Sequence, residues 1–213
     1  MIVEIWSDVM CPYCYLGKKQ FEIALNQFEG KDDVFITWRS FELNPDIVYD
    51  ENNDLFSYLS KMKGMSRADI ENNFNRLAEQ GKTMNIDFQF TKAKVMNSRN
   101  AHKLIQFAKN QHLQNEIEEA LFYAYFTEGK NVQDENILEE IANNVGLQFE
   151  KFSNIIASVE LDNLVIQDQY MAQQVGARGV PFFVFDQAYA VSGAQGEESF
   201  LHVLNTVAEK SKQ

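Results

Sequence analysis

Two cysteines separated by a Pro-Tyr pair, Cys11-Pro12-Tyr13-Cys14, stand where an apolar, β-branched run gives way to a helical pattern. Ile2-Val3-Glu4-Ile5-Trp6 has the composition of a buried strand, and the residues from Cys14 onward recur at the period of an amphipathic helix. The pair therefore falls at a strand-to-helix junction. The first backbone N–H groups of a helix lack intrahelical partners, and the helix dipole adds partial positive charge at that end. A thiolate at Cys11 would sit in that field. Pro12 suits the first helical position, where its missing N–H costs nothing and its fixed φ fits the turn.

Spacing separates the two sulfurs by role. Cys14, Gly17, Phe21, Leu25 and Phe28 recur at intervals of three and four, so they share a core-facing stripe, and Cys11 is expected at the exposed tip. Cys11 then reads as the attacking thiol and Cys14 as the resolver. Half of a structural zinc site or two unrelated buried cysteines are the competing readings, but a zinc site needs four ligands. His102, His112 and His202 show no matching spacing, so no metal is expected. His102 falls on a helical stripe and reads as a packing or surface residue, outside the catalytic set.

At 213 residues the chain is long enough for one large domain or for one domain carrying an insertion. A formal net charge of -12 argues against nucleic-acid or anionic-membrane partners, which call for a basic face. No apolar run approaches the roughly 18 residues that span a bilayer. Met1 leads straight into the first strand with no basic, apolar, cleavable leader, so a cytoplasmic location is expected. Two cysteines in a compartment that keeps thiols reduced suit a catalytic pair better than a structural disulfide.

Farther along, Val34–Phe41 reads as a second strand stopped at Asn44-Pro45, completing strand, helix, strand. If those strands are parallel, the intervening helix supplies the crossover they need. From about 46 to 157 helical periodicity dominates. Asp54 caps a helix through Met62 that ends at Gly64; Ser66 and Asp69 open another, with Gly81 as its stop. Ile86, Phe88 and Phe90 alternate as an extended segment. Stripes follow at Ala101, Leu104, Ile105 and Ala108, at Ile117, Leu121, Ala124 and Tyr125, and at Ile137, Leu138, Ile141 and Val145 after Asp134. A helix ending near Gly176 leads through Gly179-Val180-Pro181 to Phe182-Phe183-Val184-Phe185, apolar enough for a strand buried on both faces. Asp186-Gln187 turns the chain into Tyr189–Ser192, and Phe200, Leu201, Leu204 and Val207 mark a last helix. Gly193-Ala194-Gln195-Gly196 lacks the P-loop lysine and the dinucleotide glycine spacing, and reads as a connecting loop.

Four stretches together, Ser7-Asp8-Val9-Met10-Cys11-Pro12-Tyr13-Cys14, Ala101-His102, Gly179-Val180-Pro181-Phe182-Phe183 and Ser192-Gly193-Ala194-Gln195, resemble the DsbA-like oxidoreductases of the thioredoxin superfamily, within them the FrnE-like branch. The resemblance spans nearly the whole chain. It implies an α/β, thioredoxin-like fold with an inserted all-helical subdomain: strand-helix-strand over 1–45, helical insertion over 46–157, and helix-hairpin-helix over 158–213. It also implies a thiol-disulfide oxidoreductase acting on protein or small-molecule disulfides, with Cys11 and Cys14 catalytic. Pro12, Tyr13, Val180 and Pro181 would bind substrate, the Val180-Pro181 bond being cis. No cofactor is implied beyond glutathione as a co-substrate. Tyr13 replaces the histidine of DsbA itself, which points away from a strong oxidant. Two other readings stand beside this one. Glutathione-dependent isomerases of the hydroxychromene-carboxylate type share the architecture but typically carry serine for the first cysteine, and a non-enzymatic redox sensor could use the same pair.

Overall fold

The computed structural model describes residues 1–49 and 54–210. Positions 50–53 of the expected insertion and 211–213 of the expected C-terminal segment lie outside the described residues.

The strand β1 (Ile2–Ser7) runs through the middle of the sheet and is buried beyond its first residue. After it come α1 (Pro12–Gln27) and β2 (Phe35–Ser40), parallel to β1 in the register Ile2 with Phe35 through Ser7 with Ser40. A parallel pair cannot be closed by a tight turn, so α1 is the obligatory crossover. Among the described residues six α-helices then intervene: α2 (Leu55–Lys63), α3 (Arg67–Lys82), α4 (Arg99–Ala108), α5 (Gln114–Tyr123), α6 (Glu135–Val145) and α7 (Phe152–Ala157). The chain returns through α8 (Val159–Gln174), β3 (Phe182–Phe185), β4 (Tyr189–Ser192) and α9 (Glu197–Lys210). Sheet order is β2-β1-β3-β4, with β3 antiparallel to both its neighbours.

Each face of β3 is buried, for the reason its composition suggests. Phe183 and Phe185 meet Phe21 of α1, and Phe183 packs edge-on to Phe200 of α9 at 4.6 Å between ring centroids. Phe182 and Val184 join Trp6, Ala172 of α8 and Ala177 on the opposite face. Burying each such aromatic side chain contributes about 1.5–3 kcal/mol, so this sandwich of helix, sheet and helix holds the sheet in place. Asp186 and Gln187 take positive φ values of 46° and 56°, and Asp186 Oδ1 accepts the Ile2 N–H at 2.6 Å, tying the hairpin turn to the start of β1.

Caps explain several helix boundaries. Asp54, Ser66 and Asp134 accept the N–H groups of Ser57, Asp69 and Asn136, and Gly64 and Gly146 close helices in the left-handed region. Gly81 departs from expectation. It lies within α3, one residue before its end, and its lack of a side chain admits Phe88: a Cβ would stand 2.6 Å from that ring. Ile86, Phe88 and Phe90 form no strand; Phe90 stacks on Phe74 at 4.1 Å and on Phe88 at 4.9 Å, so the alternation reflects packing under α3. The short helix α7 was not legible in the periodicity, because six residues span fewer than two turns.

Candidate active site: a thiol pair between sheet and helical insertion

The turn from β1 into α1 is built on Asp8. Its carbonyl accepts the Cys11 N–H at 2.9 Å, while its buried carboxylate accepts Met10 N–H at 3.2 Å and Leu43 N–H at 2.7 Å. One side chain thus fixes both the approach to the cysteines and the segment beyond β2. Cys11 takes the N-cap position with extended backbone, Pro12 begins α1, and the Cys11 carbonyl accepts the Cys14 N–H at 3.0 Å. The first turn of α1 contains no acidic residue to neutralise the positive end of its dipole.

Opposite the thiols, the Val180-Pro181 peptide bond is cis, and the Val180 carbonyl accepts from Cys11 Sγ at 3.6 Å. Gly17 makes this approach feasible, since a Cβ there would lie 3.0 Å from Pro181 Cγ and 3.5 Å from the Phe183 ring. A glycine in the interior of an otherwise regular helix was the available signal, and its reason is contact with a loop more than 160 positions away in sequence.

Cys11 is not at an exposed tip. It is 5% exposed and forms part of the wall of an apolar cleft of about 370 Å³, whereas Tyr13 is 46% exposed at the rim. Helical spacing placed the residue on the correct side of α1, but it could not show that the helical insertion rises in front of it. Leu55, Leu59 and Met62 of α2, together with Leu43, Phe74 and Val95, line the cleft. Pro12, Tyr13 and Val180 line it too, and Pro181 follows directly behind Val180. Cys14 is sealed behind Cys11 at 1% exposure. Burial pushes its thiol well above the usual cysteine range and the neighbouring Cys11 raises it further, against weaker stabilisation by Asp8 and Ser7.

Behind Cys14 lies a polar cluster that the periodicity concealed. His102 of α4 is buried, with Nε2 3.7 Å from Asp8 Oδ1, and it does not line the cleft. Burial opposes its charge, but Asp8, Glu118 and Glu42 outweigh that and hold the imidazole above its ordinary value. Glu118 of α5 is 1% exposed, and burial lifts its carboxyl to about 7 despite the pull of His102, Lys18 and Ser7. Its position one turn before Leu121 and Phe122, on the buried side of α5, is the sequence signal that could have found it. Among the described residues no three His, Cys, Asp or Glu side chains are grouped to hold a metal ion.

Residues 2–205 match the model of the DSBA-like thioredoxin domain. The chain belongs to that family. The crystal structure of a probable DsbA oxidoreductase from Streptomyces coelicolor is 34% identical and superposes with a TM-score of 0.92 over 98% of this chain and 90% of that one. YwbO of Bacillus subtilis (strain 168) is 26% identical over 98% of each chain. The cytosolic disulfide reductase DsbM of Pseudomonas aeruginosa shares the fold at 15% identity, with a TM-score of 0.68 over 98% of this chain and 99% of that one. In this DsbA-like frame the Cys-Pro-Tyr-Cys turn, the cis-proline loop and the wall formed by α2 meet at one place.

Proposed function

We propose that this DsbA-like protein is a thiol-disulfide oxidoreductase that reduces or isomerises disulfides in the cytosol, with Cys11 as attacking thiol and Cys14 as resolver. The observation that carries the reading is the asymmetry of the pair: Cys11 opens on the cleft beside Val180, while Cys14 is buried and does not line it. A substrate disulfide entering the cleft would be attacked by the Cys11 thiolate, forming a Cys11–substrate disulfide and releasing one substrate thiolate. Cys14 then attacks Cys11 Sγ, forming the Cys11–Cys14 disulfide and releasing the second thiolate. Two electrons pass from the cysteine pair to the substrate, and a thiol such as glutathione restores the pair as co-substrate. No hydrogen-bond acceptor among the described residues takes the Val180 N–H, which leaves it available to an extended substrate peptide.

Placement in the FrnE-like branch is part of the proposal, on the motifs surrounding Cys11, His102 and Pro181. The isomerase reading is disfavoured by the thiol at position 11, where those enzymes typically carry a hydroxyl. Insulin reduction driven by dithiothreitol or glutathione is the test. Turnover that vanishes in Cys11→Ser is the expected result; wild-type protein that binds partners according to its redox state yet turns nothing over would point to a sensor instead.

A further inference from the structure

Leu55, Tyr58, Leu59, Met62 and Lys63 recur at the spacing of a single helical face, and all of them line the cleft that holds Cys11. The helix α2 therefore presents one continuous surface to whatever enters. That surface is apolar along its length and ends in a charge.

Among the described residues Lys63 is the one charged side chain lining the cleft, and its ammonium has no partner there. The cations of α1 and β2 are already neutralised: Lys18 and Lys19 pair with Glu22 and Glu119, and Arg39 with Glu4 and Asp168. A second polar group stands on the same face. The Tyr58 hydroxyl accepts Asn44 Nδ2–H at 3.0 Å, and among the described residues no acceptor takes its own proton. Five residues of helix separate Tyr58 from Lys63, roughly 7.5 Å along the axis, a gap that the four-carbon lysine stem can span. Lys63 also falls in the last turn of α2, where a cation offsets the helix dipole. Lys61 shares that turn without lining the cleft, so the two effects can be separated.

Size and chemistry together define an occupant. At about 370 Å³ the cleft lies at the small end of the roughly 300–1,000 Å³ typical of ligand pockets. Its apolar walls select an apolar body, and a lone ammonium in a chain of formal net charge -12 selects an anionic end. A carboxylate has acceptor oxygens for both an ammonium and a hydroxyl.

We infer that the cleft takes one half of a low-molecular-mass aryl or alkyl disulfide, a compact apolar body whose carboxylate is held by Lys63 and the Tyr58 hydroxyl. The inference rests on the oxidoreductase reading above and names the substrate class for that site. Cys11 Sγ bonds to one substrate sulfur, and the other half leaves as a thiolate. Cys14 then bonds to Cys11 Sγ and the first half departs. The substrate gains two electrons and two protons, the cysteine pair loses them, and a thiol such as glutathione reduces the pair again.

The experiment mixes reduced full-length protein with two chromogenic disulfides. These are 5,5′-dithiobis(2-nitrobenzoate) and bis(4-nitrophenyl) disulfide, which differs only in lacking the carboxylates. The readout is the ratio of their second-order rate constants for release of the first coloured thiolate. A variant that merely alters the Cys11 thiol changes both constants alike and leaves the ratio in place. Lys63 is exposed, so its replacement leaves the core intact. In Lys63→Met the ratio should fall on the order of tenfold, with Lys63→Arg retaining it. Tyr58→Phe should lower it by about fivefold, and Lys61→Met should leave it unchanged. A ratio unaltered in Lys63→Met, or lowered equally by Lys61→Met, overturns the inference. Thiolate release from both disulfides no faster in wild type than in Cys11→Ser would instead count against the oxidoreductase reading itself.

Discussion

Cys14 and Glu118 show how burial assigns chemistry to side chains whose types alone leave it open. With Cys14 replaced by serine, attack by Cys11 can proceed but resolution cannot, so Cys14→Ser should accumulate a covalent adduct with a disulfide substrate, visible by intact-mass spectrometry and cleared by dithiothreitol. Glu118 also leaves a thermodynamic trace. Its folded-state value of about 7 exceeds its unfolded value near 4.5, so the folded protein binds more protons between those pH values. Stability from this group is complete below the unfolded value and declines as pH rises through the folded one, by on the order of 3 kcal/mol. His102, likewise raised, adds a slope of the same sign above its own unfolded value. Urea denaturation from pH 5 to 8 should therefore show falling stability, with a flatter profile in Glu118→Gln. The cysteine motif was legible from sequence because it is local. Glu118 was not, because a single carboxylate on a stripe becomes unusual only when the elements covering it are known.

Element by element, the boundaries were readable wherever a cap or an unbroken apolar run specified them. Asp54, Ser66 and Asp134 cap as their positions suggest, and β3 is buried on both faces as Phe182-Phe183-Val184-Phe185 implied. Gly81 misled, since a glycine near a helix end can serve either a left-handed turn or a close contact, and the contact was with a residue outside the helix. Gly81→Ala would gain about 1 kcal/mol of helix propensity while forcing Phe88 aside, at about 1–3 kcal/mol. Net destabilisation of roughly 1 kcal/mol in chemical denaturation is expected. A larger effect attaches to Asp168 on α8, which accepts from Arg39 at 2.9 Å, from Ser40 N–H at 2.9 Å and from Gln106 at 2.5 Å, joining α8 and α4 to β2. Asp168→Ala leaves Arg39 with Glu4 as its remaining carboxylate partner, strands the Ser40 N–H and leaves Gln106 Nε2 with Ser40 Oγ alone. A loss of about 3 kcal/mol, at the low end for a broken buried pair because Arg39 is one-fifth exposed, should appear as a lowered denaturation midpoint.

Across the whole molecule, the helical insertion does two things to the thioredoxin-like part: α2 walls the cleft in front of Cys11, and α4 brings His102 to the Asp8 carboxylate that shapes the turn into α1. Under the proposed function, this apolar lining should favour disulfides flanked by apolar residues. Leu59→Asp, which sets a charge into that lining, should raise KM for a Phe-flanked peptide disulfide by on the order of tenfold with a smaller change in kcat; equal KM values in steady-state assays would exclude α2 from substrate recognition. By itself the sequence determined the Cys-x-x-Cys turn at the start of a helix, most strand and helix types, the capped ends and the DsbA-like order of elements, since each depends on residues close together along the chain or on motifs carried whole within it. Only the tertiary structure decided that Cys11 is sheltered by α2, that Gly17 makes room for Pro181, and that a buried histidine from α4 stands at the Asp8 carboxylate. Contacts between residues tens to hundreds of positions apart leave no periodic trace, because they arise from how completed elements pack and not from the pattern along any one of them.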